Sequence, residues 1–170
     1  DPYTTLSAAP ARHPRIPPPP ALYGPSRRNS AGVDFSQQGA RGRISAEVAK
    51  LDAEGPVAVG PIVAGEARTR PGEPLKAPAD RAREVGTFAT ATPDDFGAAY
   101  GSALRFQPEW NALGGAKRAD ILEAMADAME RETDRLIAIL TREGGKTLDD
   151  CIAEVREAVD FCRYYAVEAE

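Results

Sequence analysis

The stretch Thr147-Leu148-Asp149-Asp150-Cys151-Ile152-Ala153-Glu154-Val155-Arg156-Glu157-Ala158-Val159-Asp160-Phe161-Cys162-Arg163-Tyr164-Tyr165-Ala166 decides how this chain is read. Laid on a helix at 100° per residue, Leu148, Ile152, Val155, Val159, Cys162 and Ala166 fall on one side as a core-facing stripe. Asp150, Glu154, Glu157, Phe161 and Tyr164 fall on the opposite side. Thr147, three residues before Asp150, stands where a capping box would start the helix. A charged face is usually solvated, but two aromatic rings among these carboxylates point to burial. The pattern predicts a helix over about 147–166 that packs on its own core behind and on a second surface in front.

Upstream, the apolar period predicts a helix over about 134–143, capped by Thr133 and ended by Gly144-Gly145. Leu122, Met125, Ala126 and Met129 recur at i, i+3, i+4 and i+7 and predict another over about 115–131. Thr92 as a cap, Pro93 at the first helical position and Asp94-Asp95 at the positive end of the dipole predict a helix over about 93–107, stopped by Pro108. Residues 57–64 are β-branched and broken by Gly and Pro, and residues 85–89 alternate large and small. Two short strands are expected there, with a turn at Gly72 and Pro74 between them.

Residues 1–55 read differently. Eight of the fifteen prolines lie in the first 25 residues, and His13-Pro14-Arg15-Ile16-Pro17-Pro18-Pro19-Pro20 forces an extended polyproline strap. One short helix, Ile44–Leu51, is expected in this segment. The net charge of −5 divides unevenly: residues 1–50 hold seven Lys/Arg against three Asp/Glu, and residues 51–170 hold 14 against 23. The basic part has scattered Arg12, Arg15, Arg27 and Arg28 but no dense block and few rings for base stacking, so nucleic-acid binding is not expected.

The catalytic groups available are few. His13 is the single histidine, which excludes a histidine-based triad or a multi-histidine metal site within this chain. Cys151 and Cys162 lie about 16 Å apart along the predicted helix, too far to bridge, and neither has a neighbouring base to make it a nucleophile. Cys162, on the apolar face, reads as a small buried hydrophobe. Gly144-Gly145-Lys146-Thr147 resembles the end of a phosphate-binding loop, but Leu140 stands where that loop needs its first glycine. No Gly-x-Gly-x-x-Gly dinucleotide fingerprint occurs. With no signal peptide, long apolar run or disulfide framework, a reducing cytoplasmic setting is expected.

Several pieces, in order and at their spacing, resemble the N-terminal region of the aldehyde dehydrogenase superfamily. They are Val85-Gly86, Trp110, Arg118-Ala119-Asp120-Ile121-Leu122, Ala126-Asp127-Ala128-Met129-Glu130, Glu143-Gly144-Gly145-Lys146-Thr147 and Glu154-Val155. Two stretches narrow the resemblance to proline utilisation A, a bifunctional family joining a flavin-dependent proline dehydrogenase barrel to a glutamate-semialdehyde dehydrogenase. One is Val155 to Ala166. The other runs from His13-Pro14-Arg15-Ile16-Pro17 through Leu22-Tyr23-Gly24 to Arg28-Asn29-Ser30-Ala31-Gly32-Val33-Asp34, and resembles the connection that follows the barrel.

The resemblance implies an α/β parent fold of the aldehyde dehydrogenase type. This chain would supply a Pro-rich connecting segment (1–55), then a small β element and four mainly packed helices (56–170). The parent would oxidise L-glutamate γ-semialdehyde to glutamate with NAD, and proline with FAD. The nucleophilic cysteine and the NAD-binding strands would follow Glu170, so the 170-residue chain alone is expected to bind no cofactor and to be inactive, with the remainder of the parent as its partner. Glu157, in Glu157-Ala158-Val159-Asp160-Phe161, matches an acidic residue lining the aldehyde site of that family. With Phe161 it is the substrate-proximal candidate, a structural ion pair being the other reading of Glu157. Self-association and peripheral membrane contact of the parent stay open on this resemblance. Two further readings also stay open: a stand-alone helical interaction module with a Pro-rich tail, and the start of a monofunctional aldehyde dehydrogenase.

Overall fold

The computed structural model describes residues 15–170; the first part of the strap, with Arg12 and His13, lies outside them. A 3₁₀ turn at Pro19–Ala21 leads through an extended strap to five helices, α1 (Gln38–Glu54), α2 (Pro93–Ala112), α3 (Gly114–Arg131), α4 (Thr133–Glu143) and α5 (Leu148–Ala169). Five strands lie between α1 and α2: β1 (Val57–Val59), β2 (Ile62–Val63), β3 (Glu66–Ala67), β4 (Glu73–Ala77) and β5 (Asp80–Phe88).

The core lies among α1, α3, α4 and α5. Ile44, Ala126, Ile137, Cys151, Ile152, Val155 and Val159 form its buried cluster, with Val33 and Phe35 of the strap packed against it. Helix α1 is therefore a full core element of 17 residues, and the expected helix at Ile44–Leu51 was too short. The connecting segment expected over 1–55 is extended only up to α1. Gly39 and Gly42 hide this helix from a propensity reading, but Ile44 and Ala40 bury one stripe and Asp52 holds its end to Arg142 of α4 and Arg83 of β5.

The expected strand over 57–64 divides at Gly60-Pro61 into β1 and β2. Strand β1 pairs parallel with β5, and β4 pairs antiparallel with β5 on its other edge. Of Gly72 and Pro74, expected as a turn, Gly72 precedes this edge strand and Pro74 is its second residue, a place where the missing N–H of proline is tolerated. Strand β5 begins five residues before the expected 85, because Asp80, Arg81, Arg83 and Glu84 carry no apolar alternation. Gly86 faces Val57 in the register, where a Cβ would come 2.4 Å from the Val57 carbonyl oxygen. Only glycine lets the two strands approach this closely.

Helix α2 starts as expected: the Thr92 hydroxyl accepts from the Asp95 amide at 3.2 Å and Asp95 accepts from the Thr92 amide at 2.9 Å. It does not stop at Pro108 but runs to Ala112. Proline removes one N–H near the helix end, and on this exposed helix water can take the carbonyl left over. Thr133 is not the cap of α4: it is the first residue of the helix, with Glu132 at the cap position, and its hydroxyl donates back to the carbonyls of Met129 and Glu130. Among the described residues no helix is long and apolar enough to cross a membrane.

Candidate functional site

Helix α5 is anchored at its start by Thr147, whose hydroxyl accepts from the Asp150 amide at 3.3 Å. Its buried residues are Cys151, Ile152, Val155, Val159, Arg163 and Ala166. The stripe is turned slightly from the expected one. Leu148 is exposed and Cys162 only half-buried, whereas Cys151 and Arg163 are wholly buried.

Arg163 explains the rotation. It donates to Asp127 at 2.9 Å and to Glu130 at 2.8 Å, and its Nε lies 3.6 Å from Glu123, all three on α3. These carboxylates, the Glu130 hydrogen bond first, raise its pKa above that of free arginine. A buried charge is tolerable only when paired in this way. Asp127 and Glu130 close on this arginine and on Arg28 of the strap, which reaches Glu130 at 2.7 Å. Arg27 stacks on Tyr23, 4.1 Å from the ring centre, and reaches Tyr164 at 5.5 Å, a cation–π contact that fastens the strap to α5.

Ser30, only 2% exposed, donates its amide and hydroxyl to Asp160 at 2.8 and 2.7 Å, and accepts from Arg156 Nε at 3.1 Å. These strap contacts were not found in the sequence, where polar pairs far apart leave no periodic signal. Arg163, a charge falling beside an apolar stripe, was the one hint available.

The outward face carries the sequence candidates. Glu157 and Phe161 are both exposed and stand one helical turn apart. Phe161 stacks on Tyr165 at 6.1 Å, and Tyr164 meets Tyr165 edge-on at 5.1 Å. Glu154 is held by Lys146 at 2.5 Å, whereas Glu157 makes no hydrogen bond or ion pair among the described residues. The face is thus an unpaired carboxylate beside three rings.

Among the described residues no basic side chain hydrogen-bonds either cysteine. Cys151 is 0% exposed and lies 3.5 Å from the Thr141 hydroxyl. Among the described residues the two side-chain-capped helix starts carry Asp94-Asp95 and Asp149-Asp150, carboxylates where a pyrophosphate would need open amides. No group of residues suited to a metal occurs among the described residues.

A further surface lacks a partner. Phe96, Tyr100, Leu104, Phe106 and Trp110 of α2 are all exposed, Phe96 at 72%, and the rings of Phe96 and Tyr100 stack on each other at 6.5 Å. A 20-residue helix this apolar and this bare belongs against more protein.

The profile of the Aldehyde dehydrogenase family matches residues 66–170. The chain belongs to the aldehyde dehydrogenase family. Over 158 residues it is 40% identical to the bifunctional protein PutA of Escherichia coli (strain K12), an alignment covering 91% of this chain and 12% of that protein. The crystal structure of proline utilization A from Bdellovibrio bacteriovorus inactivated by N-propargylglycine superposes with a TM-score of 0.82 at 26% identity, over 85% of this chain and 15% of that one. The 1-pyrroline-5-carboxylate dehydrogenase from Thermus with bound NAD gives 0.77 at 28% identity, over 82% and 27%. The chain therefore spans a small part of the length of its relatives. Its five helices and small sheet are an aldehyde dehydrogenase-type arrangement.

Proposed function

We propose that these residues form the N-terminal portion of a dehydrogenase that oxidises L-glutamate γ-semialdehyde to glutamate with NAD in proline catabolism, within a parent that also oxidises proline with a flavin. The observation that carries this reading is the similarity to PutA through the strap as well as the helices, 91% of this chain in one alignment. The 1-pyrroline-5-carboxylate dehydrogenase of Staphylococcus epidermidis matches less of the chain, 82% at 29% identity. The reading brings with it a cytoplasmic setting and the remainder of the parent as the covering surface of α2.

The part assigned to this chain is to hold and orient substrate. An aldehyde that is also an α-amino acid carries an ammonium group, and Glu157 offers a carboxylate not already spent on a protein cation. Phe161 and Tyr165 beside it would lower the local dielectric and strengthen that contact. The nucleophile and the dinucleotide cradle belong to other parts of the parent, so the 170 residues alone are inactive.

The test is an assay of the full-length polypeptide carrying these residues, supplied with L-glutamate γ-semialdehyde and NAD. NADH formation is expected, and none from the isolated 170-residue chain. Oxidation of other semialdehydes but not this one would sink the substrate assignment; NADH from the isolated chain would overturn the division of labour.

A further inference from the structure

The groove between the strap and the helices gathers arginines that the oxidation does not use. Two adjoining clefts of about 370 and 430 Å³ run along residues 31–33. Arg43 of α1 and Arg156 of α5 line both, and Arg28 and Arg131 line the first. Three carboxylates also line the groove, two of them paired with arginine and the third hydrogen-bonded by neutral donors. Glu130 accepts from Arg28 and Arg163, Asp134 accepts from Arg43 Nε at 3.2 Å, and Asp34 accepts from the Ser36 amide at 2.9 Å and from Gln37. Arg131 and Arg156 meet no carboxylate among the described residues.

The two shared guanidinium groups are both held by Nε, Arg43 on Asp134 and Arg156 on the buried Ser30 hydroxyl. A guanidinium fixed through Nε presents its two terminal nitrogens as a fork that matches a pair of oxygens. The strap is shaped for this. Gly32 has φ +72°, and a Cβ there would come 3.2 Å from Arg156 Cδ, so the arginine side chain lies close along the strap at this position. Ser30 is fixed in turn by Asp160. Four arginines against three carboxylates line the two clefts, and an anion between the two forks would offset the repulsion of their like charges.

We propose that this groove binds a small dianionic oxyanion ligand, a phosphate or a dicarboxylate, between the forks of Arg156 and Arg43, with Arg131 adding charge at the rim. The site is separate from the Glu157 face and does not rest on the oxidation reading.

Titration calorimetry on the full-length polypeptide at low ionic strength, with inorganic phosphate and with succinate as probes, tests it. Saturable binding of at least one probe to a single site is expected; which probe binds tells the phosphate source from the carboxylate one. Arg156→Gln and Arg43→Gln should each weaken it by about tenfold or more, and Arg105→Gln on the exposed α2 should leave it unchanged. Far-UV circular dichroism reports folding of each variant. If Arg156→Gln does not fold, Arg43→Gln and Arg131→Gln, both at exposed positions, decide the matter. No saturable binding of either probe, or unchanged affinity in the folded variants, would overturn the site.

Discussion

Ser30 and Asp160, 130 residues apart, are joined by two hydrogen bonds, from the Ser30 amide at 2.8 Å and its hydroxyl at 2.7 Å to the two oxygens of one carboxylate. The serine is almost fully buried, so neither donor has water as a substitute. The strap and the helix that presents Glu157 are therefore one mechanical unit. Asp160→Ala, which leaves a buried amide and hydroxyl unsatisfied, should cost about 3 kcal/mol, against about 1 kcal/mol for Ser30→Ala, which keeps the amide bond. Urea unfolding of the full-length protein measures both. Equal, near-zero losses would mean that the strap is not held here.

Much of this arrangement was legible in the sequence, and the exceptions share a cause. The Thr92 cap, the starts of α2 to α5 and the outward placing of Glu157 and Phe161 are local or periodic features, written within one or two turns of helix. Helix α1 was read too short because Gly39 and Gly42 weaken propensity in a segment whose stability comes from Ile44 meeting a core built by residues 126–159. Strand β4 was missed because Pro74 marks a turn in most settings, and only the strand order makes it an edge. The strap contacts escaped altogether, since Ser30 and Arg28 choose partners by tertiary position.

Arg163 supports the fold from inside. It is 0% exposed and is the single cation set fully among Asp127, Glu130 and Glu123. Arg163→Ala would leave those carboxylates with only the exposed Arg28, and a loss of about 3 to 5 kcal/mol is expected. Arg163→Lys keeps the charge but cannot span Asp127 and Glu130 together, so an intermediate loss of about 2 kcal/mol is expected. A thermal melt of each variant checks the order, and Lys performing as poorly as Ala would contradict the role given to charge.

Acid should loosen the junction of α1, α4 and β5 at a definite place. The Asp52 carboxylate accepts from Arg142 at 2.8 and 2.7 Å and from Arg83 at 2.6 Å; chiefly the Arg142 hydrogen bonds hold its pKa down to about 2. An unfolded aspartate titrates near 4, so the unfolded chain binds the extra proton first as pH falls. The contribution is complete above about pH 4 and is lost between about 4 and 2. Since the site is partly open to solvent, about 1 kcal/mol is expected. Asp52→Asn should flatten the stability profile across that interval; a profile as steep as that of the unchanged protein would assign the acid sensitivity elsewhere.

Glu157 and Phe161 give the sharpest check on the substrate reading, because the proposed contact depends on one group of the substrate. L-Glutamate γ-semialdehyde has an α-ammonium group, and succinate semialdehyde has none. If the Glu157 carboxylate takes that ammonium, Glu157→Gln in the full-length enzyme should raise KM for the first by about tenfold, the size of one charge-assisted contact, and leave KM for the second unchanged. The turnover number should change little, since the group binds substrate and moves no proton. A structural role would act otherwise: any disturbance of α5 would slow both substrates alike. Equal effects on the two aldehydes, or none on either, would remove Glu157 from the substrate site while leaving the family assignment in place.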